Sequence, residues 1–204
     1  MLKLHYAPNT ISIVVAIALN EGGVHYEPIR VDFASAEQTK PAYKAINPKA
    51  RVPALVTPGG ILTETGAIIE YLADTAVPAL RPADPFQAAK MREMVFYVAT
   101  TMHVNHAHRM RGYRWADQQS SYDDMAAKVP ETMAESCAYV ESQIEGPLLF
   151  GEHVTLADIY LFVVSHWLKG DGVDVTNYPK LTAFRETMLA RPSVQKALAE
   201  GMLT

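Results

Sequence analysis

Three side chains that can hold an anion stand together where the first predicted helix begins. Residues 7–12 read APNTIS, which brings Asn9, Thr10 and Ser12 between an N-terminal strand and an apolar helix. Each can cap the helix by accepting from a free backbone N–H group, and each can also donate to a negatively charged ligand. The pattern therefore predicts an anion site at this helix start and leaves open which of the three serves only as the cap.

A second candidate group lies at the start of another predicted helix. Glu64 and Thr65 directly precede an apolar helical pattern in residues 67–72, and the helix N-terminus adds free backbone donors. Upstream, Val52 and Pro53 open a short apolar run. Because proline has no N–H to give to a ladder, this order predicts entry into an edge strand with the N–H and C=O of Val52 facing outward. Together these groups suit a small ligand with an anionic end.

Three histidines within six residues suggest a metal site at first sight: His103, His106 and His108. At helical spacing His103 and His106 share a face, but His108 points away from it, and no acidic ligand stands at a suitable spacing in the same stretch. We therefore expect no metal here. The arginines that follow, at 109, 111 and 114, are solvated face charges by default.

Two further features are interpreted as structural. Cys137 is the single cysteine, so the chain has no internal disulfide and no cysteine metal cluster, and its place in an amphipathic run predicts a small buried side chain. Thr155 and Asp158 have the spacing of a capping box, with Asp in place of the usual Glu. The box predicts the start of a buried helix and carries no evidence for catalysis.

Composition excludes several classes of protein. Of the 204 residues, 49% are hydrophobic and 20% charged, as in globular chains, and the formal charge of −4 gives no basic field for nucleic acid or an anionic membrane. No apolar run reaches the roughly 18 residues needed to cross a bilayer, and no signal-like segment opens the sequence. We expect a soluble, cytoplasmic protein without nucleic acid or membrane partners.

The order of periodic patterns predicts two domains. In residues 1–76 the patterns run strand, helix, strand, short helix, two strands around a Pro-Gly-Gly turn, and helix, a βαβαββα order. Residues 75–86 contain three prolines and are predicted to link the domains. From residue 86 to residue 204 the apolar spacings are helical only, in runs near residues 88–115, 122–144, 156–168, 178–189 and 194–203. The predicted fold class is an α/β domain followed by an all-α domain.

This order of parts resembles the cytosolic glutathione transferases, most nearly their bacterial beta-like members. The resemblance spans essentially the whole chain and is carried by INPKARVPAL at residues 46–55, the helix start at 64–65, the box at 155–158 and RPSVQ at 191–195. It implies a thioredoxin-like N-terminal domain, an all-helical C-terminal domain, and a homodimer. Glutathione would be the co-substrate, without a metal, and the second partner would be a small hydrophobic electrophile.

The resemblance also implies roles for residues of the N-terminal domain. Val52 would pair through its backbone with the cysteinyl part of glutathione, and Pro53 would be a cis proline that fixes this loop. Glu64 and Thr65 would bind the γ-glutamyl end. Thr65 stands where the family more often has serine, and either hydroxyl can donate and accept.

In the second domain the resemblance points to one helical stretch. His103 matches a histidine that beta-like enzymes present to the region of the sulfur, although a satisfied core histidine is an equal alternative. His106, Arg109 and Tyr113 would shape the electrophile pocket, and an arginine there would favour an anionic co-substrate.

The catalytic task is to hold the glutathione sulfur as a thiolate, because the thiolate is the nucleophile. Lowering a thiol pKa by about two units is worth roughly 2.7 kcal/mol, which a helix N-terminus with one or two hydroxyl donors can supply. Beta-like enzymes usually carry a cysteine in this loop, but Ile11 stands here, so no mixed disulfide can form through it. Ser12 and Thr10 are the first candidates for the donor, with Asn9 beside them. Tyr6, where other classes have a tyrosine donor, ranks below them.

Three functions are open at this stage. The chain could conjugate glutathione to small electrophiles or reduce peroxides with it. It could instead bind glutathione without turnover, which the missing loop cysteine favours slightly. Glutathione-dependent isomerisation is a third alternative, and it would need an arginine that clamps a carboxylate.

Overall fold

The computed structural model describes residues 1–204. Four strands form one sheet: β1 Leu2–Tyr6, β2 Tyr26–Arg30, β3 Ala54–Thr57 and β4 Gly60–Thr63. The helices are α1 Ile13–Glu21, α2 Pro41–Lys44, α3 Thr65–Thr75, α4 Pro85–Tyr97, α5 His103–Arg111, α6 Gln119–Gln143, α7 Leu156–Ser165, α8 Pro179–Leu189 and α9 Pro192–Ala199. The predicted βαβαββα order, followed by helices alone, is confirmed.

The sheet has the strand order β2-β1-β3-β4. β1 is parallel to β2, as the α1 crossover requires, whereas β1 with β3 and β3 with β4 are antiparallel. The predicted edge-strand entry at Val52 and Pro53 is wrong, because β3 lies in the interior of the sheet. Pro53 is tolerated there because it precedes the first paired residue, Ala54, so no backbone hydrogen bond of the sheet requires an N–H at this position.

The first of two compact units comprises Met1–Ala83 together with Leu189–Thr204. Every residue of α1 from Ile13 to Leu19 is buried, as expected of a helix that is apolar on all sides. α9 packs against α1, and the Arg191 guanidinium forms an ion pair with Glu21 at the end of α1. The last helix thus belongs with the sheet, which the predicted division at residues 76 and 86 did not foresee.

The second compact unit, Asp84–Met188, contains α4 to α8. The helical run near residues 88–115 is not one regular α-helix: a π-helical turn at Val98–Met102 separates α4 from α5, and a 3-10 turn at Gly112–Arg114 follows α5. An apolar period of three to four cannot reveal such a local change of winding. α7 is buried along its whole length, and the predicted capping box of Thr155 and Asp158 is present at its start.

None of the helices combines the length and the apolar character that crossing a membrane requires.

Candidate active site

Strand register brings three of the predicted segments to the same end of the sheet. His5, near the end of β1, is paired with Ala54 at the start of β3, and Ala54 is paired with Thr63 at the end of β4. Residues 7–12, 52–53 and 64–65 therefore leave or enter adjacent strands side by side. The first two segments also contribute to the same buried cluster, through Ala7 and Val52.

The loop before α1 is closed by a small network centred on Ser12, which has no exposed surface. The Ala7 N–H donates to Ser12 Oγ at 3.1 Å, and Ser12 Oγ lies 3.2 Å from the Ala7 carbonyl oxygen. Ser12 Oγ is also 2.7 Å from Thr10 Oγ1. The sequence predicts Ser12, with Thr10, as an anion donor. In the structure its Oγ is hydrogen-bonded within the loop, and its role as a donor stays a prediction.

Thr10 has the more open position of the two hydroxyls. It is half-buried, and its Oγ1 lies 2.8 Å from the Ala7 carbonyl oxygen, to which it can donate. Its other hydrogen bond is with Ser12 Oγ, and either hydroxyl can be the donor there. The backbone N–H groups of Thr10 and Ile11 have no partner within the chain, since the first helical hydrogen bond is donated by Ile13. Unpaired N–H groups at a helix start are the usual donors to a bound anion.

Asn9 and Tyr6 differ from that picture. Asn9 is exposed, has a left-handed backbone with φ of 56°, and hydrogen-bonds through its side-chain amide to Thr204. Tyr6 is buried at the end of β1, close to Tyr26, whose pKa is raised by burial, by the charge of Glu200 and by Tyr6 itself. The Tyr6 hydroxyl makes no hydrogen bond within the chain, so it stays a candidate donor.

The second segment enters β3 through a Val52–Pro53 peptide bond that is cis, as predicted. The N–H and C=O of Val52 have no backbone partner, which leaves both free to pair with an extended ligand. The preceding carbonyl of Arg51 is fixed by two donors, the Tyr43 hydroxyl at 2.8 Å and Asn47 Nδ2 at 2.7 Å. Burial raises the pKa of Tyr43 to about 12, so the phenol keeps the proton that it donates.

The third segment begins α3 with a strained residue. Glu64 has a φ of 70°, a conformation that residues other than glycine adopt rarely and that clusters at functional sites. Its exposed carboxylate forms an ion pair with Lys49, while Thr65 is buried at the first helical position. The N–H groups of Thr65, Gly66 and residue 67 have no acceptor within the chain. An acid thus stands beside an anion-binding helix start.

The helical unit holds the remaining candidates around one residue that sequence reasoning missed, Asp171. Its carboxylate has no exposed surface, and both oxygens lie within 2.9 Å of His106 Nδ1. Arg109 approaches the same carboxylate at 3.7 Å. The His106 ring stacks on Trp167 with centroids 4.2 Å apart, and His103 contacts the same indole at 5.1 Å. Asp171 lies 65 residues from His106, so no local pattern announced the pair.

The other two predictions for this unit have separate outcomes. Tyr113 is 63% exposed in the 3-10 turn and has no aromatic partner, so its place in an electrophile pocket stays a prediction. Cys137 is fully buried, as predicted, and burial raises the pKa of its thiol to about 12. A thiol in that state is unreactive at neutral pH.

Comparison with known proteins agrees with this geometry. The model of the glutathione S-transferase N-terminal domain matches residues 1–74, and that of the glutathione S-transferase C-terminal domain matches residues 105–201. The chain is 31% identical to glutathione S-transferase GstA of Escherichia coli O157:H7, over 98% of this chain and 100% of that protein. It is 30% identical to a maleylacetoacetate isomerase of Pseudomonas aeruginosa, over 96% and 95% of the two proteins.

Solved structures give the same answer. The crystal structure of a glutathione transferase homologue from Sulfitobacter, with bound glutathione, is 57% identical to this chain and has a TM-score of 0.97, covering 100% of this chain and 99% of that one. Similarity of this extent, in both sequence and fold, identifies the family of the chain. The chain belongs to the glutathione transferases.

Proposed function

We propose that this protein is an enzyme that binds glutathione at the end of the sheet and transfers it to small hydrophobic electrophiles. The observation that carries the proposal is the convergence of residues 7–12, 52–53 and 64–65, each of which offers unpaired backbone or side-chain groups. Val52 offers one N–H and one C=O for antiparallel pairing with the cysteinyl part. The start of α3 offers free N–H groups to the γ-glutamyl carboxylate.

Glu64 is the proposed partner of the glutathione ammonium. Its present partner, Lys49, forms an exposed ion pair with it, and such pairs contribute at most about 1 kcal/mol. The incoming ammonium can therefore replace Lys49. Thr65, at the first turn of α3, is the neutral hydrogen-bonding partner of the same end.

Thr10 is the proposed donor to the thiolate, with Ser12 as its support. A hydrogen-bond chain runs from the Ala7 N–H to Ser12 Oγ and on to Thr10 Oγ1. With Ser12 as the donor to Thr10, the Thr10 proton, which otherwise goes to the Ala7 carbonyl oxygen at 2.8 Å, can turn to the sulfur instead. Such a chain polarises each successive hydroxyl and strengthens the last donor. The free N–H groups of Thr10 and Ile11 and the dipole of α1 act in the same direction.

The reaction that follows needs no residue to form a covalent bond. The glutathione sulfur attacks the electrophilic carbon, a C–S bond forms, and the leaving group departs with its electron pair. The thiol proton is released to solvent when glutathione binds as the thiolate. Ile11 stands where a cysteine would be, which supports conjugation rather than thiol exchange through the loop.

Substitution of Thr10 tests this function. Thr10→Val removes the hydroxyl at nearly constant volume, and a hydrogen bond to a charged group is worth about 1.5 to 3 kcal/mol. We expect the pKa of bound glutathione, read from thiolate absorbance against pH, to rise by about one to two units. Turnover of an aromatic halide at neutral pH should fall with it, and Thr10→Ser should restore both.

Thr75→Val is the matched control, because Thr75 Oγ1 makes one exposed bond to a backbone oxygen of the same unit. If the wild-type protein binds glutathione with an unshifted thiol pKa and no turnover, a binding protein is the better description. If Thr10→Val has no effect while Tyr6→Phe raises the pKa, the donor is Tyr6.

The isomerase alternative is favoured by one observation, the 30% identity to a protein named maleylacetoacetate isomerase. It would need Arg109 or Arg111 to clamp a carboxylate, and the sequence does not distinguish them. It is weakened for Arg109, which already lies against the buried Asp171. An unsaturated cis-dicarboxylate incubated with catalytic glutathione would separate the two: isomerisation leaves the glutathione concentration unchanged, whereas conjugation consumes it.

We propose a cytoplasmic homodimer, and His103 stays a proposal for the region of the glutathione sulfur. His106, Arg109 and Tyr113 remain proposals for the pocket of the second substrate. Replacing each of the three by alanine should raise KM for the electrophile without changing glutathione affinity.

Exposed aromatic side chains on α4, Phe86 at 70% and Phe96 at 64%, support self-association. Light scattering at micromolar concentration tests the dimer, and a monomeric mass would contradict it.

A further inference from the structure

The loop before α1 is joined to the last residues of the chain by three hydrogen bonds. The Asn9 N–H donates to the Met202 carbonyl oxygen at 2.9 Å. The Asn9 side chain donates from Nδ2 to Thr204 Oγ1 at 2.8 Å and accepts at Oδ1 from the Thr204 N–H at 3.0 Å. These contacts are made by the residue directly before Thr10, and its partner Thr204 lies 195 positions away along the chain.

The segment that Asn9 meets is itself firmly held. α9 ends in a Schellman motif: the Gly201 N–H donates to the Leu198 carbonyl oxygen and the Met202 N–H to that of Ala197, both at 2.9 Å. Gly201 has a φ of 66°, the left-handed conformation that this turn requires and that glycine adopts without strain. Met202 and Leu203 are buried after the turn. Thr204 therefore approaches Asn9 from an anchored backbone.

Asn9 needs such support because its own backbone is left-handed, with a φ of 56°. Asparagine tolerates this conformation better than most residues, and hydrogen bonds to its short polar side chain help to hold it there. Its backbone direction sets where the next residues, Thr10 and Ile11, present their hydroxyl and N–H groups. Donors to a resident anion act at full strength only when they are held in place beforehand.

We propose that residues 202–204, acting through Asn9, are a positioning element for the thiolate-binding loop. Asn9 and Thr204 are positioning residues, which affect the sulfur through Thr10 and do not touch it. The inference rests on the proposed function, since it concerns how the Thr10 donor is held. It reassigns Asn9, which the sequence suggested as a direct donor to the anion.

Two variants of the purified protein test the proposal. Asn9→Gly keeps the left-handed backbone free of strain while removing both side-chain bonds, and Thr204→Val removes only the acceptor Oγ1. We expect both to raise the pKa of bound glutathione, Asn9→Gly by about half a unit or more and Thr204→Val by less. Glutathione affinity at high pH, where the thiol is ionised without help, should stay within about twofold of the wild-type value.

Asn20→Ala is the matched control, because Asn20 Nδ2 ties the other end of α1 to the Ser193 carbonyl oxygen at 3.3 Å. If a general loss of packing between α1 and α9 were the cause, the pKa of bound glutathione would change in Asn20→Ala as well. The double variant Asn9→Gly with Thr204→Val should resemble Asn9→Gly alone, because both substitutions break the same link.

The outcomes are distinguishable. If Asn9→Gly raises the thiol pKa but Thr204→Val does not, Asn9 contacts the sulfur directly and the positioning role is wrong. If neither variant changes a wild-type thiol pKa that is itself lowered, or if Asn20→Ala changes it equally, the proposal also fails. If wild-type protein does not lower the pKa of glutathione at all, the proposed function has failed first.

Discussion

Replacing Asp158 by alanine should destabilise the helical unit more than any surface substitution. The carboxylate is fully buried and accepts three hydrogen bonds: from the Leu149 N–H at 2.8 Å, from the Thr155 N–H at 2.7 Å and from Thr155 Oγ1 at 2.6 Å. The alanine variant leaves two buried backbone N–H groups without an acceptor. Because the hydroxyl can rotate to another partner, we count only those two.

The magnitude follows from the cost of an unpaired buried donor, about 1 to 3 kcal/mol each. Two such groups give about 2 to 6 kcal/mol, and the loss of the capping box is contained in that sum. Burial raises the pKa of Asp158 against the effect of its hydrogen bonds, so the charged form also carries a cost that alanine removes. We therefore expect a loss of about 3 kcal/mol, a large share of the roughly 5 to 15 kcal/mol of a typical domain.

Urea denaturation followed by circular dichroism measures this loss. Asp174→Ala is the control: Asp174 accepts from the Thr176 N–H and hydroxyl in the same local pattern, but on the surface. A loss below about 0.5 kcal/mol is expected there. Because burial raises the pKa of the Asp158 carboxyl in the folded state, the contribution of this group to the free energy of unfolding is fully present below the ordinary value of 3.8. That contribution declines as pH rises through the folded pKa. The difference between wild type and Asp158→Ala should therefore be larger in acid, and equal losses in the two variants would refute the argument.

Three further outcomes are expected. Gly22→Ala should cost about 1 to 3 kcal/mol, because the added Cβ would overlap Val77 Cγ1; the double variant with Val77→Ala should recover part of this loss in the same denaturation assay. Cys137 should react with a thiol reagent at pH 8 only as fast as the protein unfolds, since burial raises its pKa to about 12, and a rapid burst of labelling would contradict this. Burial would raise the pKa of Glu21, but its hydrogen bonds with Arg191 lower that pKa overall. The stabilisation that Glu21 gives to the folded state is therefore present above 4.5 and is lost as pH falls through the lower folded pKa. Glu21→Gln should make the melting temperature less dependent on pH in acid, as measured by thermal denaturation at a series of pH values.

The order of elements was predictable because it depends on patterns within a few residues. The alternation in residues 2–6, the apolar run of α1 ended by Gly22, and the prolines of residues 75–86 each act locally. The capping box at Thr155 and the burial of Cys137 followed from the same kind of evidence. Local evidence failed where the winding changes over a single turn, as between α4 and α5, because one turn is too short for its own period to show in the sequence.

The candidate site was predictable as three segments and not as one place. Their convergence follows from the register that pairs His5 with Ala54 and Ala54 with Thr63, and register is set by which side chains pack across the strands. The sequence likewise could not show that Ser12 is buried and Thr10 is not, because burial of the Ser12 hydroxyl results from the closed turn around Ala7.

Contacts between distant parts of the chain were decided by the tertiary structure alone. From the sequence, the side chain of Asn9 could cap the helix, bind an anion or hydrogen-bond to a distant part of the chain. It bonds to a distant residue because the fold places Thr204 beside it. The partner of His106 was hidden in the same way, because Asp171 lies 65 residues away and comes within hydrogen-bond distance only in the folded chain. A polar side chain binds whichever complementary group packing brings within about 3 Å, and the sequence specifies the donor and acceptor but not their meeting.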